Sequence, residues 1–383
     1  MNIVADENIP LLEAFFGSLG TLVTRPGRQI CRADLEQADV LLVRSVTQVN
    51  AALLEGTPVR FVGTCTIGTD HLDLQWLAAA GIRVASAPGC NARGVVEYVL
   101  SCLLTLAERT GQPWLQRSVG IIGVGAVGGL LASTLEAMGM RVLRYDPLRA
   151  EQSEQGFVPL EQLLIEADVL SCHVPLTLGG DHPTWHLLDQ QRLQGLRTGC
   201  WLINSSRGAV VDNLALGAIL EARSDLQVVL DVWEGEPQVD PALARQCALA
   251  TPHIAGYSLD GKLRGTAMIH AALCAELGVQ SDLQLSSLAP VEGQAQMDLA
   301  QGAQPEWLLA RALRWVYDVR DDDARMREML TRTQSVQERA LGFDQLRKQY
   351  PLRRENALLK LDCQAGLAPR TRQLLAAAGF SLG

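Results

Sequence analysis

Three short polar segments carry side chains that could perform acid–base chemistry on a small carboxylic acid. Residues 204–209 include an arginine, residues 231–237 include carboxylates, and residues 251–256 include a histidine. An imidazole exchanges protons near neutral pH, and a guanidinium binds a carboxylate through two parallel hydrogen bonds. Each segment alone could be an ordinary polar loop. However, each follows a predicted strand, and ligands of open α/β sheets bind at the carboxyl ends of the strands. We therefore expect the three segments to form one site.

A glycine-rich motif precedes these segments and indicates a dinucleotide-binding loop. Gly123, Gly125 and Gly128 form G-x-G-x-x-G directly after an apolar strand and directly before a predicted helix. In this context the glycines permit a tight turn, close approach of a pyrophosphate and packing of helix against strand. The backbone amides of Ala126 and Val127 would then face the pyrophosphate at the helix N-terminus.

The acidic residue that follows the next strand indicates which dinucleotide binds. Asp146 lies 23 residues after Gly123. A carboxylate at this place accepts hydrogen bonds from the adenosine ribose and repels a 2′-phosphate. We therefore expect NAD as cofactor, while the nearby Arg144 and Arg149 leave NADP as the alternative.

The elements that must position these residues alternate between strands and helices. Short β-branched strands and apolar helical stretches follow one another in the first 90 residues, and again from about residue 119 to residue 256. Such alternation predicts two α/β domains with parallel sheets. The predicted strands are residues 2–4, 21–24, 40–43, 60–62 and 83–85 in the first series, and 120–124, 141–145, 169–173, 201–204 and 227–232 in the second.

The last hundred residues differ in character and predict a small α+β domain. Serine, proline and glycine are frequent between residues 286 and 302, as in a connecting segment. The pattern beyond them predicts several helices and one strand. The helices are expected around residues 306–313, 323–333, 335–345 and 371–378, and the strand at 357–361.

Composition excludes several classes of protein. The chain has 383 residues, 48% of them hydrophobic, which suits two or three folded domains. Its net charge of −9 disfavours nucleic acid as a partner. No segment has the apolar length of a membrane span, and the N-terminus lacks the basic region of a signal peptide. The nine cysteines include no C-x-x-C pair, and no histidine pair has metal-ligand spacing, so we expect a cytoplasmic protein without a metal.

Taken together, the glycine loop and the three polar segments resemble the NAD-dependent D-2-hydroxyacid dehydrogenase family. Its catalytic arginine, glutamate and histidine lie in R-G, E-P and P-H motifs, which match Arg207, Glu236 and His253. The resemblance covers about residues 35–280. It implies that His253 removes the hydroxyl proton while hydride leaves C2, and that Glu236 holds the other ring nitrogen. Arg207 would bind the carboxylate of the substrate and polarise the C2 oxygen.

Further motifs lie at residues 6–10, 43–50, 63–73, 87–92 and 95–99, and the chain carries an extension of about 100 residues. These features resemble one branch of that family. The resemblance implies oxidation of 4-phospho-D-erythronate to 2-oxo-3-hydroxy-4-phosphobutanoate with NAD⁺, in bacterial vitamin B6 biosynthesis. The resemblance implies two Rossmann-like or flavodoxin-like domains around a cleft, followed by a C-terminal domain that forms a homodimer. The implied domains are a substrate-binding domain of residues 1–95 and 257–285, an NAD-binding domain of residues 96–256, and a dimerisation domain of residues 286–383.

Residues next to the strand ends complete the expected site. Further cofactor contacts are expected from the loops of the NAD-binding domain, at Val174, Ser205, Ser206, Arg207, Asp231 and Gly256. Substrate contacts are expected from Ser45 and Thr66 in the first domain and from Tyr257 after the histidine segment. For the phosphate, the sequence leaves Arg44, Lys262 and Arg264 as alternatives.

Two other functions stay open from the sequence. One is a dehydrogenase of another 2-hydroxy acid, such as 3-phosphoglycerate. The other is a non-catalytic protein that senses NAD(H), since a fold does not fix a function. The presence of Arg207, Glu236 and His253 together favours catalysis.

Overall fold

The computed structural model describes residues 1–152, 155–281, 283–288, 295–299, 302–362 and 366–383. The described strands are β1 (Asn2–Asp6), β2 (Thr21–Arg25), β3 (Val40–Val43), β4 (Phe61–Thr64), β5 (Arg83–Ala85), β6 (Val119–Ile122), β7 (Val142–Tyr145), β8 (Val169–Cys172), β9 (Trp201–Asn204), β10 (Gln227–Leu230), β11 (Leu249–Ala250), β12 (Ala295–Asp298), β13 (Leu359–Asp362) and β14 (Ser381–Leu382). The described α-helices are α1 (Leu12–Phe16), α2 (Ala51–Leu54), α3 (Leu74–Ala79), α4 (Ala92–Thr110), α5 (Ala126–Ala137), α6 (Pro147–Glu151), α7 (Leu160–Glu166), α8 (Gln190–Gln194), α9 (Asn213–Ala222), α10 (Pro241–Gln246), α11 (Leu259–Leu277), α12 (Leu285–Leu288), α13 (Pro305–Val316), α14 (Val319–Arg332), α15 (Val336–Lys348) and α16 (Pro369–Ala377).

These elements form two compact units. The first consists of Met1–Asn91 and Ser258–Gly293, and the second of Ala92–Tyr257 and Gln294–Gly383. Both are α/β units with parallel sheets, as the alternating sequence pattern predicts. The C-terminal segment groups with the second unit.

The first unit is built on a five-stranded parallel sheet with strand order β2-β1-β3-β4-β5. All four residues of β3 are buried, as expected for an apolar strand in the middle of a parallel sheet. Helices α1 and α11 share one core with the sheet, in which Phe15 and Phe16 lie with Ile269 and Leu273. The chain therefore returns to this unit through α11 after completing the sheet of the second unit.

The second unit contains a six-stranded parallel sheet with strand order β11-β10-β9-β8-β6-β7. Register pairs Ile122 at the end of β6 with Tyr145 of β7 and with Cys172 of β8, so the strands end side by side. The segments that follow β6, β7, β8, β9 and β10 therefore emerge at one edge of the sheet. This edge carries the glycine loop and the arginine and carboxylate segments, and the short strand β11 leads into the histidine segment.

The C-terminal segment adds a three-stranded parallel sheet, β12-β13-β14, and four helices to the second unit. Met326 of α14 and Phe343 of α15 are fully buried in the same core as strands of the large sheet. Leu308 and Leu313 of α13 lie in the other core of this unit with residues of α4 and α5. Shared cores of this kind fix these helices on the unit that carries the glycine loop.

Candidate active site

The glycine loop is a tight turn in which two positions leave no room for a side chain. A Cβ atom at Gly128 would lie 1.9 Å from the carbonyl oxygen of Gly123, and one at Gly123, where φ is +87°, would lie 2.6 Å from Val174 Cγ1. Any side chain at these two positions would disrupt the loop. A Cβ atom at Gly125 would meet nothing within 4 Å, so this side of the loop is open. Helix α5 begins at the next residue, and no side chain caps its N-terminus, where the first backbone amides of a helix have no partner within the helix.

Asp146 ties the end of β7 to the glycine loop. Its carboxylate accepts hydrogen bonds from the amide of Val124 at 2.9 Å and from the amide of Arg149 at 3.2 Å, which caps α6. Arg149 donates to the carbonyl of Val124 at 2.7 Å, and Arg144 donates to both carboxylate oxygens of Glu136 at 2.6 Å. Both arginines that could favour NADP thus have partners within the protein.

The arginine segment is a tight turn after β9 that is organised by Asn204. Asn204 Oδ1 accepts hydrogen bonds from the amide and the hydroxyl of Ser206 at 3.1 and 2.8 Å, and Asn204 Nδ2 donates to the carbonyl of Arg207 at 2.9 Å. The hydroxyl of Ser205 is buried and has no hydrogen-bond partner among the described residues. This hydroxyl therefore has capacity left for a hydrogen bond to a water or a ligand.

A close backbone approach brings the arginine and carboxylate segments together. A Cβ atom at Gly208 would lie 2.0 Å from the backbone carbon of Trp233 and 2.4 Å from the amide nitrogen of Glu234. Only glycine fits here, which gives a physical reason for the R-G motif. Arg207 precedes Gly208 and therefore lies next to the segment that carries Glu236.

His253 and Glu236 form a hydrogen-bonded pair. The distance between His253 Nδ1 and Glu236 Oε2 is 2.7 Å, and the amide of Trp233 donates to Glu236 Oε1 at 2.7 Å. Burial raises the pKa of Glu236, but the charge of His253 and the hydrogen bonds lower it overall, so Glu236 is a carboxylate. Because a carboxylate can only accept, Nδ1 of His253 carries the proton, and a neutral imidazole then presents the lone pair of Nε2 as a base.

Asp231 holds the histidine segment in an unusual conformation. His253 has a φ of +56°, in the left-handed region that residues other than glycine rarely adopt. Asp231 is 1% exposed, and its carboxylate accepts hydrogen bonds from the amides of Ile254 and Ala255 at 2.8 and 2.9 Å and from the hydroxyl of Thr251 at 2.7 Å. The surrounding bonds thus fix the conformation at His253. In the structure this carboxylate fixes the loop that carries His253, and its predicted contact with the cofactor stays a prediction.

The C-terminal segment also supports the histidine segment. Arg353 is buried and donates hydrogen bonds to the carbonyl of Ala255 at 3.1 Å and to the carbonyl of Gly94 at 2.6 Å. Its guanidinium lies 3.6 Å from the centre of the Tyr317 ring. Sequence reasoning did not assign these residues to the site, because no motif links Arg353 to a loop about 100 residues earlier.

The predicted substrate residues occupy different surroundings. Ser45 is exposed directly after β3, and Thr66 follows β4, where its hydroxyl bonds to the hydroxyl of Thr64 at 2.7 Å. In the second unit, the ring of Tyr257 packs against the edge of Tyr350 at 5.5 Å between centroids. Gly256 precedes it and ends the histidine segment.

The three alternatives for the phosphate differ in their surroundings as well. Arg264 donates to the carbonyl of Cys90 at 2.8 Å. Burial, with a smaller effect of Arg44, lowers the pKa of Lys262 to about 8, so it stays mostly charged at pH 7 but loses its charge more readily than an exposed lysine. These contacts make Arg264 and Lys262 weaker candidates than their residue types suggest.

Within the described ranges, one group of side chains brings metal-ligand atoms close together. Atoms of His186, Asp212 and Glu234 lie within 4.8 Å of one another. His186 Nε2 is 2.8 Å from Glu234 Oε1, and Asp212 caps α9 by accepting a hydrogen bond from the amide of Ala215 at 2.9 Å. The first bond links the loop before α8 to the carboxylate segment and the second caps α9, so both carboxylates have partners within the protein. The sequence did not indicate this cluster because its members are far apart along the chain.

Comparison with family models identifies two regions. Residues 105–255 match the model described as "D-isomer specific 2-hydroxyacid dehydrogenase, NAD binding domain". Residues 288–379 match "Domain of unknown function (DUF3410)". The second match covers the segment that supplies Arg353.

Similar proteins extend over nearly the whole chain. Erythronate-4-phosphate dehydrogenase of Pseudomonas fluorescens is 56% identical over 379 residues, which cover 99% of each chain. The enzyme of the same name from Stutzerimonas stutzeri is 58% identical over 355 residues, or 93% of each chain.

Solved structures of lower identity share the fold. D-lactate dehydrogenase of Aquifex aeolicus, complexed with NAD and lactic acid, matches with a TM-score of 0.61 and 23% identity, covering 73% of this chain and 96% of that one. NAD⁺-bound 3-phosphoglycerate dehydrogenase of Entamoeba histolytica matches with a TM-score of 0.62 and 22% identity, covering 73% of this chain and 95% of that one.

Proposed function

The chain belongs to the erythronate-4-phosphate dehydrogenases, a branch of the D-isomer-specific 2-hydroxyacid dehydrogenases, and on that premise we propose which of its residues perform the reaction. The reaction is oxidation of 4-phospho-D-erythronate to 2-oxo-3-hydroxy-4-phosphobutanoate with NAD⁺, a step of vitamin B6 biosynthesis. The observation that carries our assignment is the 2.7 Å contact between His253 and Glu236 beside the arginine segment.

His253 acts as the general base. Its Nε2 takes the proton of the C2 hydroxyl, and Glu236 stabilises the resulting imidazolium through Nδ1. NAD⁺ held by the glycine loop would supply the acceptor for the hydride of C2. Arg207 binds the C1 carboxylate and polarises the C2 oxygen with the planar fork of its guanidinium. In the reverse direction the same imidazolium returns the proton to the oxygen.

Backbone and side-chain groups around the glycine loop bind the cofactor. Gly123, Gly125 and Gly128, with the amides of Ala126 and Val127, contact the pyrophosphate, and Asp146 contacts the ribose. The buried, unpartnered hydroxyl of Ser205 supports a further contact from the arginine segment. The other cofactor contacts that we propose are Val174, Ser206, Arg207, Asp231 and Gly256.

Ser45, Thr66 and Tyr257 contact the substrate. Ser45 and Thr66 follow the adjacent strands β3 and β4, at the edge where parallel sheets bind ligands. Tyr257 comes four residues after the base, within the same loop. We propose residues 1–95 with 257–285 as the substrate-binding domain and residues 96–256 as the NAD-binding domain.

Substrate profiling of the purified protein tests the proposed function. NADH formation is measured with 4-phospho-D-erythronate, 3-phospho-D-glycerate and D-lactate, with parallel samples that contain a 2-oxo acid to reoxidise bound NADH. We expect a strong preference for 4-phospho-D-erythronate. Activity with only one of the other acids would show that this acid, and not 4-phospho-D-erythronate, is the substrate. Absence of activity with every acid, despite NAD binding, would favour a sensing role.

Changing Asp146 to asparagine should weaken the preference for NAD over NADP. Asparagine retains an oxygen that can cap α6, but it removes the negative charge that repels a 2′-phosphate. We expect the ratio of kcat/KM for NAD⁺ to that for NADP⁺ to fall about tenfold or more, because like-charge juxtaposition costs several kcal/mol. Asp189→Asn is the matched control, since Asp189 caps α8 in the same way. An unchanged ratio in Asp146→Asn would show that Asp146 does not select the cofactor.

We propose that residues 286–383 form a homodimer interface. Trp307 and Trp315 of α13 are 52% and 64% exposed, and the guanidinium of Arg311 lies 5.7 Å from the ring of Trp307. Exposed tryptophan and arginine on one helix favour a protein interface, where these residue types dominate binding.

Light scattering at micromolar concentration tests the dimer. We expect the wild-type chain to have twice its mass of 41.5 kDa, and the double variant Trp307→Ser/Trp315→Ser to have a single chain mass. Leu214→Ser, at a position 88% exposed on α9, is the control and should stay dimeric. A double variant that remains dimeric would place the interface elsewhere.

We also propose that the protein works in the cytoplasm. The eight cysteines in the described part of the chain are free thiols, as expected in a reducing compartment. No described helix is both long and apolar enough to span a membrane.

A further inference from the structure

Helix α15 of the C-terminal segment brings an arginine close to the catalytic pair. Arg347 lies in the last turn of this helix, one turn after Phe343, which is fully buried in a core of the second unit. Leu346 packs against the same core. The helix is therefore anchored to the core in the turn that leads to Arg347, which limits where this long side chain can reach.

The surroundings of Arg347 point toward the catalytic residues. Its guanidinium lies 5.8 Å from the centre of the Tyr257 ring and 5.9 Å from the centre of the Phe343 ring. A hydrogen bond connects it to the side chain of Tyr257. Tyr257 follows the histidine segment, so Arg347 stands at the end of the loop that carries the base.

The charges of Arg347 and Glu236 also stabilise one another. Burial lowers the pKa of Arg347, but Tyr257 and the Glu236 carboxylate raise it overall, so the guanidinium stays charged. In turn, Arg347 is one of the groups that lower the pKa of Glu236. No motif indicated this cation, which the reaction at C2 does not require.

One donor of this guanidinium has no partner among the residues that the structure describes. Nε of Arg347 is buried and makes no hydrogen bond to any described residue. A guanidinium has five N–H donors, and its planar fork matches the oxygens of a phosphate group. The proposed substrate has an anion at each end. Arg207 takes the carboxylate, so the phosphate at C4 needs a second cation.

Resting on the proposed function, we propose that Arg347 binds the terminal phosphate of the substrate. The C-terminal segment then selects phosphorylated acids, in addition to any role in dimer formation. Tyr257 holds the guanidinium in place through its ring and its hydroxyl. This assigns a binding residue to a region whose family model carries no function.

The test compares a phosphorylated acid with its unphosphorylated counterpart. The variants are Arg347→Met, Arg347→Lys and the control Lys348→Met, which changes the exposed neighbour on the same helix. For each, kcat/KM is measured with 4-phospho-D-erythronate. D-Erythronate is measured as a substrate or, where it is not oxidised, as a competitive inhibitor. NADH binding reports on folding.

We expect Arg347→Met to lower kcat/KM for 4-phospho-D-erythronate about 100-fold, mainly through KM, because it leaves the phosphate unpaired. The constants for D-erythronate should stay the same, and Lys348→Met should behave as wild type. Arg347→Lys retains the charge and should recover part of the loss. If Arg347→Met does not bind NADH, Arg347→Lys is compared with wild type for the two acids instead.

Two results would overturn this inference alone, while wild-type activity upholds the proposed function. One is an equal loss for both acids, which would make Arg347 a structural residue. The other is an Arg347→Met variant that prefers 4-phospho-D-erythronate over D-erythronate as strongly as wild type does. This result would be clearest if Lys262→Met lost that preference. A wild-type enzyme that does not oxidise 4-phospho-D-erythronate would overturn the proposed function and this inference with it.

Discussion

Replacing His253 with alanine should lower kcat by about 10²- to 10⁴-fold, the range typical of a lost general base. The variant retains Arg207 and the glycine loop, so NADH should bind as tightly as it does to wild type. Glu236 keeps its hydrogen bond from the amide of Trp233 and therefore stays in place. The loss should appear in both directions of the reaction, because the same imidazole takes and returns the proton.

A second histidine provides the control for this prediction. His182 lies 2.5 Å from Glu151 and forms a similar pair with a carboxylate, outside the three polar segments. His182→Ala should have the activity of wild type. Full activity in His253→Ala would remove the general base from the mechanism and favour a role without catalysis.

Replacing Arg207 with lysine should lower kcat/KM about 10²- to 10³-fold, the cost of losing a donor that stabilises the developing charge on a substrate oxygen. Lysine keeps the charge but loses the planar fork that binds a carboxylate through two bonds. The side chain is held by a hydrogen bond from Nη1 to the carbonyl of Ser206 at 2.8 Å, a contact that a lysine ammonium cannot reproduce in the same geometry.

Steady-state kinetics with both substrates varied tests this prediction. The loss should fall on the hydroxy acid, while KM for NAD⁺ changes little. Arg223→Lys is the control, because Arg223 pairs with Asp225 at 2.7 Å in a structural contact away from the polar segments. Equal losses in the two variants would indicate that Arg207 acts only through stability.

The glycine loop and the three polar segments could be predicted because their signals are local. Gly123 and Gly128 approach each other within one turn, so the motif itself records the geometry. The same holds for the strands β3 and β6, each a run of four buried residues in the middle of a parallel sheet. Such strands are buried on both faces, so a short run of apolar residues in the sequence is enough to predict them.

Other features depend on partners that are distant in sequence. Strand β14 has only two residues, Ser381 and Leu382, and becomes a strand by pairing with Lys360 and Leu361. Sequence reasoning predicted one strand in the C-terminal segment, and the structure has three. The predicted number of strands was therefore wrong. A strand of two residues such as β14 has no periodicity that the sequence could show.

The role of individual side chains was harder to predict than the location of the site. Asp231 follows β10 at the position expected of a ligand contact. Its carboxylate also accepts hydrogen bonds from the amides of Ile254 and Ala255, which the sequence did not indicate. Arg347 approaches Tyr257 only because α15 packs on a core formed by residues much earlier in the chain. Both are consequences of tertiary packing, which a single sequence does not record.

Transfer of the hydrogen at C2 is the most direct test of the account as a whole. The enzyme is incubated with NAD⁺ and 4-phospho-D-erythronate that carries deuterium at C2, and the NADH is analysed by mass spectrometry. We expect the deuterium to be recovered in the NADH. Two results would contradict oxidation at C2 and the roles assigned to Arg207, Glu236 and His253. One is formation of NADH that carries no deuterium, and the other is failure to form NADH although NAD⁺ is bound.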